Sequence, residues 1–286
     1  MRDTNLKSWM DDFKKIDSQS GSMSRNKRKP LIIKILNGYG LGLIAFPVGV
    51  GLLILLWALV AYVGNYPAFI LPAPKSVFME LQKIILNGVL WFHIQATLLE
   101  MAGGLVLGLG SATILGYLLA KSPILERLIG PYIVASQSVP AVAIAPLLII
   151  WFGTGKISKV LVCALIVFFP VLVNTIVGIR SVDSGLKTLM RSLHASRWQT
   201  FTRLEIPASM PVLLGGLKIG VTLSVIGAVV GEFVGADRGL GYLINLAKGL
   251  FNTSLMFAAL IALTTISLSL YLLITGLEKW LLDWRE

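Results

Sequence analysis

Long apolar runs separated by short polar segments are the main pattern along the chain. Six runs are long enough to cross the roughly 30 Å hydrocarbon core of a bilayer, which takes about 20 helical residues. None shows the alternating pattern of about ten residues that is typical of outer-membrane barrel strands. The sequence therefore predicts an all-α membrane protein with six transmembrane helices, at residues 41–63, 98–119, 128–152, 157–179, 212–234 and 255–277.

The segment before the first run is polar and predicts a separate tail, residues 1–40, ahead of a transmembrane domain, residues 41–286. Within residues 4–17, apolar side chains recur at helical spacing, as in Leu6, Trp9 and Phe13. This pattern is typical of an amphipathic helix lying in the plane of the headgroups. A flexible tail is the alternative.

Basic residues are distributed unequally between the two sides of the predicted membrane. The tail and the connections on its side hold 18 Lys and Arg residues. The opposite side holds 6, which are Lys75, Lys83, Lys156, Lys159, Arg238 and Lys248. Cytoplasmic loops of membrane proteins carry the excess of Lys and Arg. The sequence therefore predicts a multi-pass membrane protein with both termini in the cytoplasm.

Composition excludes most soluble classes of protein. Hydrophobic residues make up 56% of the chain and charged residues 14%, with a net charge of +11. In a soluble protein this charge would indicate a nucleic-acid partner. In a membrane protein it indicates anionic headgroups. We therefore expect membrane lipid, and no nucleic acid, among the partners.

The residues that usually carry catalysis or bind metals are scarce. Cys163 is the single cysteine, the two histidines are far apart, and no GxxxxGK[ST] phosphate loop is present. We expect no catalytic residue, cofactor or metal in this chain, and no ATP bound to it.

A few polar residues interrupt the apolar runs and are candidates for the translocation path, since polar groups in spans are costly. Hydrogen bonding between helices is the alternative, and Glu232 has Asp237 and Arg238 nearby as local partners. The path candidates are Ser136, Gln137, Ser138, Asn174, Glu232 and Glu100.

Five glycines in the second run, at positions 103, 104, 108, 110 and 116, predict close helix packing.

Prolines predict irregular helices. Pro131, Pro140 and Pro146 predict a bent or broken third span, and Pro170 predicts the same for the fourth. Between the fourth and fifth runs, residues 184–211 form the long connection on the cytoplasmic side. Its apolar spacing changes phase at His194, which predicts two short helices meeting at a bend. Pro207 and Pro211 predict that the second helix ends before the fifth span.

This connection resembles the coupling loop of ABC importer permeases. The motif Leu193–Phe201, LHASRWQTF, followed by Ile206–Pro211, IPASMP, is similar to the family pattern EAARxLGASRWQxF…LPAxLP. The chain departs from the pattern at Thr188-Leu189-Met190, in place of EAA, and at His194, in place of glycine. The segments ASQSVP at 135–140 and GAVVGEF at 227–233 resemble members of the nitrate, sulfonate and taurine type that import thiamine pyrimidine precursors or riboflavin.

The resemblance implies a type I ABC importer permease fold with a cytoplasmic coupling helix. It implies a place in the inner or plasma membrane of a prokaryote and pairing with a second copy of the chain or with a related permease. It also implies two ATPase subunits, which bind ATP and Mg²⁺ and hydrolyse the ATP, and an extracytoplasmic solute-binding protein. A self-contained secondary transporter or channel is the alternative, and a membrane-bound enzyme is a weaker one. The residues assigned to ATPase coupling are Leu186, Leu189, Met190, Arg191, Leu193, His194, Ala195, Ser196, Arg197, Trp198 and Pro207.

Overall fold

The computed structural model describes residues 41–283, and these residues form helices joined by short turns. The predicted amphipathic helix at 4–17 and the rest of the tail lie outside the described residues. The helices are α1 (Leu41–Val63), α2 (Pro74–Leu86), α3 (Val89–Lys121), α4 (Pro123–Gln137), α5 (Ala141–Phe152), α6 (Lys156–Arg180), α7 (Ser184–Ser192), α8 (Arg197–Thr200), α9 (Ile206–Gly235), α10 (Leu240–Gly249) and α11 (Thr253–Leu282).

Four helical stretches are long and apolar enough to span a bilayer: α3, α6, the stretch Arg197–Gly235 and α11. The pair α4 and α5 supplies a fifth if the two helices count as one span. Helix α1 belongs mostly to a separate unit that ends at Leu59, and its apolar part, Pro47–Val63, is shorter. The all-α membrane fold is confirmed, and the count of six spans stays a prediction.

Helix α6 lies at the centre of the second unit, which begins at Val60, between α3 and α9. Glycines allow both neighbours to approach it. A Cβ atom on Gly108 would lie 2.7 Å from the carbonyl oxygen of Ala164, and one on Gly227 would lie 2.6 Å from the Cα of Cys163. Four of the five predicted glycines pack in this way, whereas Gly110 faces open space. The stripe of small residues therefore sets the spacing of the central helices.

The third predicted span is broken. Its two helices, α4 and α5, meet at an angle of 94° around Ser138-Val139-Pro140. Pro140 has no N–H for the helical hydrogen-bond ladder and disfavours helical angles at Val139, so the chain turns there. The predicted break in this span is confirmed. In the fourth span, by contrast, α6 runs through Pro170 as one helix, and the carbonyl oxygen of Pro170 accepts a hydrogen bond from Asn174 Nδ2 at 2.8 Å.

The prediction that Pro207 and Pro211 separate the short helix from the fifth span is wrong. Helix α8 continues through a π-helical turn, Phe201–Glu205, directly into α9. Pro207 lies in the first turn of α9, where a missing N–H is best tolerated. Pro211 lies inside α9 without ending it. The 184–205 segment is therefore fixed to a membrane helix through continuous helical backbone.

Candidate functional site

Helix α7 presents an apolar face to the outside of the subunit. Leu186, Leu189 and Leu193 are 45%, 54% and 68% exposed, while Met190 is half-buried. These positions recur at helical spacing and so share one side of the helix. Asp183 caps the helix by accepting a hydrogen bond from the backbone N–H of Gly185. An exposed apolar stripe on a short, capped helix is suited to seating in the groove of another protein.

The bend after α7 is built by its local sequence. His194 has φ +54°, the left-handed angle that glycine adopts readily. Ser196 then starts α8 with a capping box, in which the Ser196 hydroxyl accepts from Gln199 N–H and the Gln199 side chain accepts from Ser196 N–H. The predicted bend at His194 is confirmed by this geometry, whereas the second helix is not a separate short helix but the start of the continuous stretch Arg197–Gly235.

Aromatic and charged contacts join the segment to the ends of the membrane helices. Trp198, which is 70% exposed, contacts Phe201, and Phe201 packs edge-on against Tyr117 of α3. The buried Glu205 carboxylate pairs with Lys121 and accepts a hydrogen bond from the Tyr117 hydroxyl at 3.3 Å. The 198–205 part of the segment is therefore in direct contact with the end of α3.

At the opposite end of α6, charged residues meet inside the bundle. Glu100 of α3 pairs with Lys159 of α6 at 3.3 Å, and the side chains are 1% and 2% exposed. Glu232 of α9, also buried, accepts hydrogen bonds from the Thr97 hydroxyl at 2.6 Å and from the N–H of Gly241. A Cβ atom on Gly231, the neighbour of Glu232, would lie 3.1 Å from the Cα of Lys159, so Glu232 lies beside the Glu100–Lys159 pair. We call Glu100, Lys159 and Glu232 the buried charge cluster.

The buried charge cluster corrects two expectations. Lys159 is not a charge of an outer loop but lies within α6, and the partners of Glu232 are Thr97 and Gly241 and not the neighbouring Asp237 or Arg238. The backbone N–H of Gly239 donates to His93 Nδ1 at 3.1 Å, which ties the α9–α10 turn to the same place. Glu232 therefore holds together the start of α10, α3 and α9.

The other path candidates lie apart from this cluster. Ser136 is half-buried and donates to the carbonyl oxygen of Ile133 at 2.8 Å, while Gln137 and Ser138 are exposed at the break between α4 and α5. Asn174 lies beside a small cavity of about 180 Å³ between α3, α6 and α9. The structure does not bring the six candidates into one site within the described chain.

Comparison with known proteins decides the family. Residues 104–283 match the family model of the inner membrane component of binding-protein-dependent transport systems. The chain belongs to this family. It is an ABC importer permease for a small solute and a multi-pass membrane protein, and the family implies an ATPase and a binding protein as partners.

Several curated permeases are similar over most of their length. The riboflavin transport system permease protein of Chloroflexus aurantiacus is 45% identical over 242 residues, which cover 85% of this chain and 90% of the relative. The formylaminopyrimidine transport permease protein of Halalkalibacterium halodurans is 36% identical, with coverages of 82% and 93%. The taurine transport system permease protein of Escherichia coli is 29% identical, with coverages of 82% and 86%.

Sequence reasoning missed two features of the permease. Lys159 lies three residues into α6, and an ionisable residue inside an apolar run is a signal for a buried partner. Glu205 gives no such signal, since it follows a polar stretch and becomes buried only where α9 crosses the end of α3. The assignment of individual residues to coupling and to the path stays a prediction.

Proposed function

We propose that the permease is the membrane-spanning subunit of an ATP-driven importer for a small heteroaromatic solute, a pyrimidine or riboflavin. The named relatives that share 45% and 36% identity transport riboflavin and formylaminopyrimidine. The path candidates at the exposed helix break, Ser136, Gln137 and Ser138, are uncharged, which suits a neutral ring with hydrogen-bonding groups. A sulfonate, taurine or nitrate is the second choice, supported by a sulfonate permease of Bacillus subtilis at 33% identity.

The exposed apolar face of α7 carries this proposal. It lies on the cytoplasmic side and seats in a groove of a separate ATPase subunit. ATP and Mg²⁺ are bound there, and this chain hydrolyses nothing itself. Closure of two ATPase subunits moves the 184–205 segments, and the continuous helix into α9 converts that movement into alternating access. Both termini face the cytoplasm, and a solute-binding protein delivers the solute from the other side.

The exposed helix break supports a second copy of the permease as partner. Irregular backbone is tolerated at membrane depth only where protein or a cavity surrounds it. In the single chain, Gln137, Ser138 and Pro140 are exposed. Two copies facing each other across the break would cover it and enclose one path, with these residues and Ser136 along it. The buried Glu100 and Glu232 act as structural groups of each half.

Substitution of Leu193 tests the coupling role. Burial of a leucine in a groove contributes about 1.5–3 kcal/mol, and Leu193→Asp adds an unpaired carboxylate to that contact. We expect the variant to insert normally and to lose both co-purification of the ATPase and ATP-dependent uptake in vesicles. The permease purified alone should hydrolyse no ATP.

Thr188→Asp is the matched control, because it adds the same charge to an exposed position on another side of α7. It should retain ATPase binding and uptake. If Leu193→Asp retains both at normal levels, the α7 face is not the coupling surface. Uptake of labelled riboflavin, a pyrimidine and taurine by the same vesicles then identifies the solute class separately.

A further inference from the structure

A second feature of the 184–205 segment lies on the side of α7 that faces the membrane helices. Helix α7, helix α8, the π-helical turn that follows α8 and the end of α3 line a cavity of about 700 Å³. Four cationic side chains line it, and Glu205 is the carboxylate among its lining residues. The cations are Lys121, Lys187, Arg191 and Arg197. We call this space the basic cavity.

The positive charge of the basic cavity is not neutralised within the described chain. The Glu205 carboxylate is already paired with Lys121 and accepts a hydrogen bond from the Tyr117 hydroxyl. None of Lys187, Arg191 and Arg197 forms an ion pair with a carboxylate among residues 41–283. Lys187 and Arg191 are four residues apart on one helix, where like charges repel. An anion in the cavity would relieve this repulsion and stabilise the segment.

An apolar cavity of about 330 Å³ adjoins the basic cavity. Tyr117 lines both, and the lining of the apolar cavity is otherwise made largely of hydrophobic side chains from α3, α6 and α9. These include Ile114, Leu118, Ile179 and Leu213, together with Phe201, which packs on Tyr117. A cationic cavity therefore lies next to an apolar cavity at the end of the membrane helices. This arrangement matches a phospholipid, which has a charged phosphate headgroup and apolar acyl chains.

We propose that the permease binds one anionic phospholipid at this place, with its phosphate in the basic cavity and an acyl chain in the apolar cavity. Basic pockets at the ends of membrane helices attract anionic headgroups. The proposed ATPase contact uses Leu186, Leu189 and Leu193, which lie on a different side of α7 from Lys187 and Arg191. The lipid therefore occupies the inner side of α7 and leaves the outer side free.

The bound lipid would hold α7 and α8 against the ends of α3 and α9. Its phosphate neutralises charges from two separate helices, Lys187 and Arg191 on α7 and Arg197 on α8. Without it, the three cations repel one another and loosen the bend at His194. The position of the segment would then depend on the anionic lipid content of the membrane.

Lipid binding to the purified full-length permease tests the proposal. Native mass spectrometry with added phosphatidylglycerol or phosphatidylethanolamine should show one retained phosphatidylglycerol and no comparable retention of the zwitterionic lipid. The double variant Lys187→Gln/Arg191→Gln should weaken phosphatidylglycerol binding by about thirtyfold, since two cationic contacts are lost. Arg197→Gln, on α8, should weaken it by about fivefold and serves if the double variant does not fold.

Arg203→Gln is the matched control, because Arg203 is an exposed cation of the same segment outside the basic cavity. It should bind phosphatidylglycerol as the unmodified permease does. Equal retention of both lipids, or unchanged binding by the double variant and Arg197→Gln, would refute the site. Displacement of the lipid by equimolar inorganic phosphate would show that the headgroup alone is recognised. Displacement by the ATPase subunit would assign the basic cavity to a protein segment, and either result overturns the proposal.

Discussion

At the residue scale, the buried charge cluster is the feature with the largest consequence for stability. The Glu100 carboxylate pairs with Lys159 inside the bundle, and its Oε2 atom is buried without a hydrogen-bond partner among the described residues. Glu232 is also buried, and the Thr97 hydroxyl and the Gly241 N–H donate to it. Lys159 is the single cation of the cluster, so the burial of the Glu100 carboxylate depends on it.

Lys159→Met should destabilise the permease strongly. The change removes the cation and leaves the Glu100 and Glu232 pair without compensation in a buried place, which costs about 3–5 kcal/mol. Thermal unfolding of the purified protein in detergent measures the effect. Lys156→Met is the control, because Lys156 starts the same helix and is exposed; it should leave the unfolding temperature nearly unchanged.

A second change separates the charge effect from simple loss of packing. Adding Glu100→Gln to Lys159→Met removes the negative partner as well, so part of the stability should return. If Lys159→Met unfolds at the temperature of the unmodified permease, the Glu100–Lys159 pair contributes nothing. If the double variant is no more stable than Lys159→Met, the loss is due to packing and not to charge.

At the element scale, the glycine faces of α3 and α9 decide how α6 is held. Gly108 packs against backbone of α6, which cannot move aside as a flexible side chain can, and Gly227 does so from the other side. Close backbone approach increases van der Waals contact, which is the main attraction between helices in lipid. The three helices therefore form one tightly packed group, to which the segment 184–205 connects through α9.

Gly108→Ala and Gly110→Ala should differ in their effect on the stability of the permease, although the two glycines lie only two residues apart on α3. The first places a Cβ 2.7 Å from the Ala164 carbonyl oxygen and should cost about 1–3 kcal/mol. The second meets nothing within 4 Å and should be neutral or slightly stabilising, since alanine favours a helix. Unfolding temperatures measure both. Equal destabilisation by the two changes would mean that the α3–α6 contact is not set by these glycines.

At the scale of the whole molecule, the two ends of the helix bundle have different characters. One end carries the 184–205 segment with its exposed apolar face and basic cavity. The other carries the buried charge cluster and the turn from α9 to α10. Because Lys121, Arg127, Arg180 and the four cations of the 184–205 segment lie at the first end, we expect that end to face the cytoplasm.

Accessibility labelling tests this orientation. Ser181→Cys lies at the end of α6 and Asp237→Cys at the opposite end of the bundle, and both positions are exposed. A membrane-impermeant thiol reagent added to intact cells should label the second variant and leave the first unlabelled until the membrane is opened. Cys163 is fully buried and should not interfere. Labelling of Ser181→Cys from outside would reverse the topology.

Several features of the permease follow from the sequence alone. Apolar run length identifies the membrane helices because the bilayer sets one required length. The break in the third span follows from Pro140, and the bend at His194 from a change in the phase of apolar residues. The family follows from the local motif around residues 193–211. Each of these features depends on residues that are close together in the chain, so it can be predicted from a single sequence.

Other features were decided only by the tertiary structure. Sequence reasoning offered Glu232 only the local partners Asp237 and Arg238 and counted Lys159 among the outer charges, because the actual partners lie on other helices. Pro211 was expected to end a helix, but the π-helical turn before α9 lets the helix continue into the membrane. The basic cavity exists only because the bend after α7 brings Lys187 and Arg191 to the same space as Lys121 at the end of α3. Contacts between distant residues depend on helix packing, and no local pattern specifies that packing.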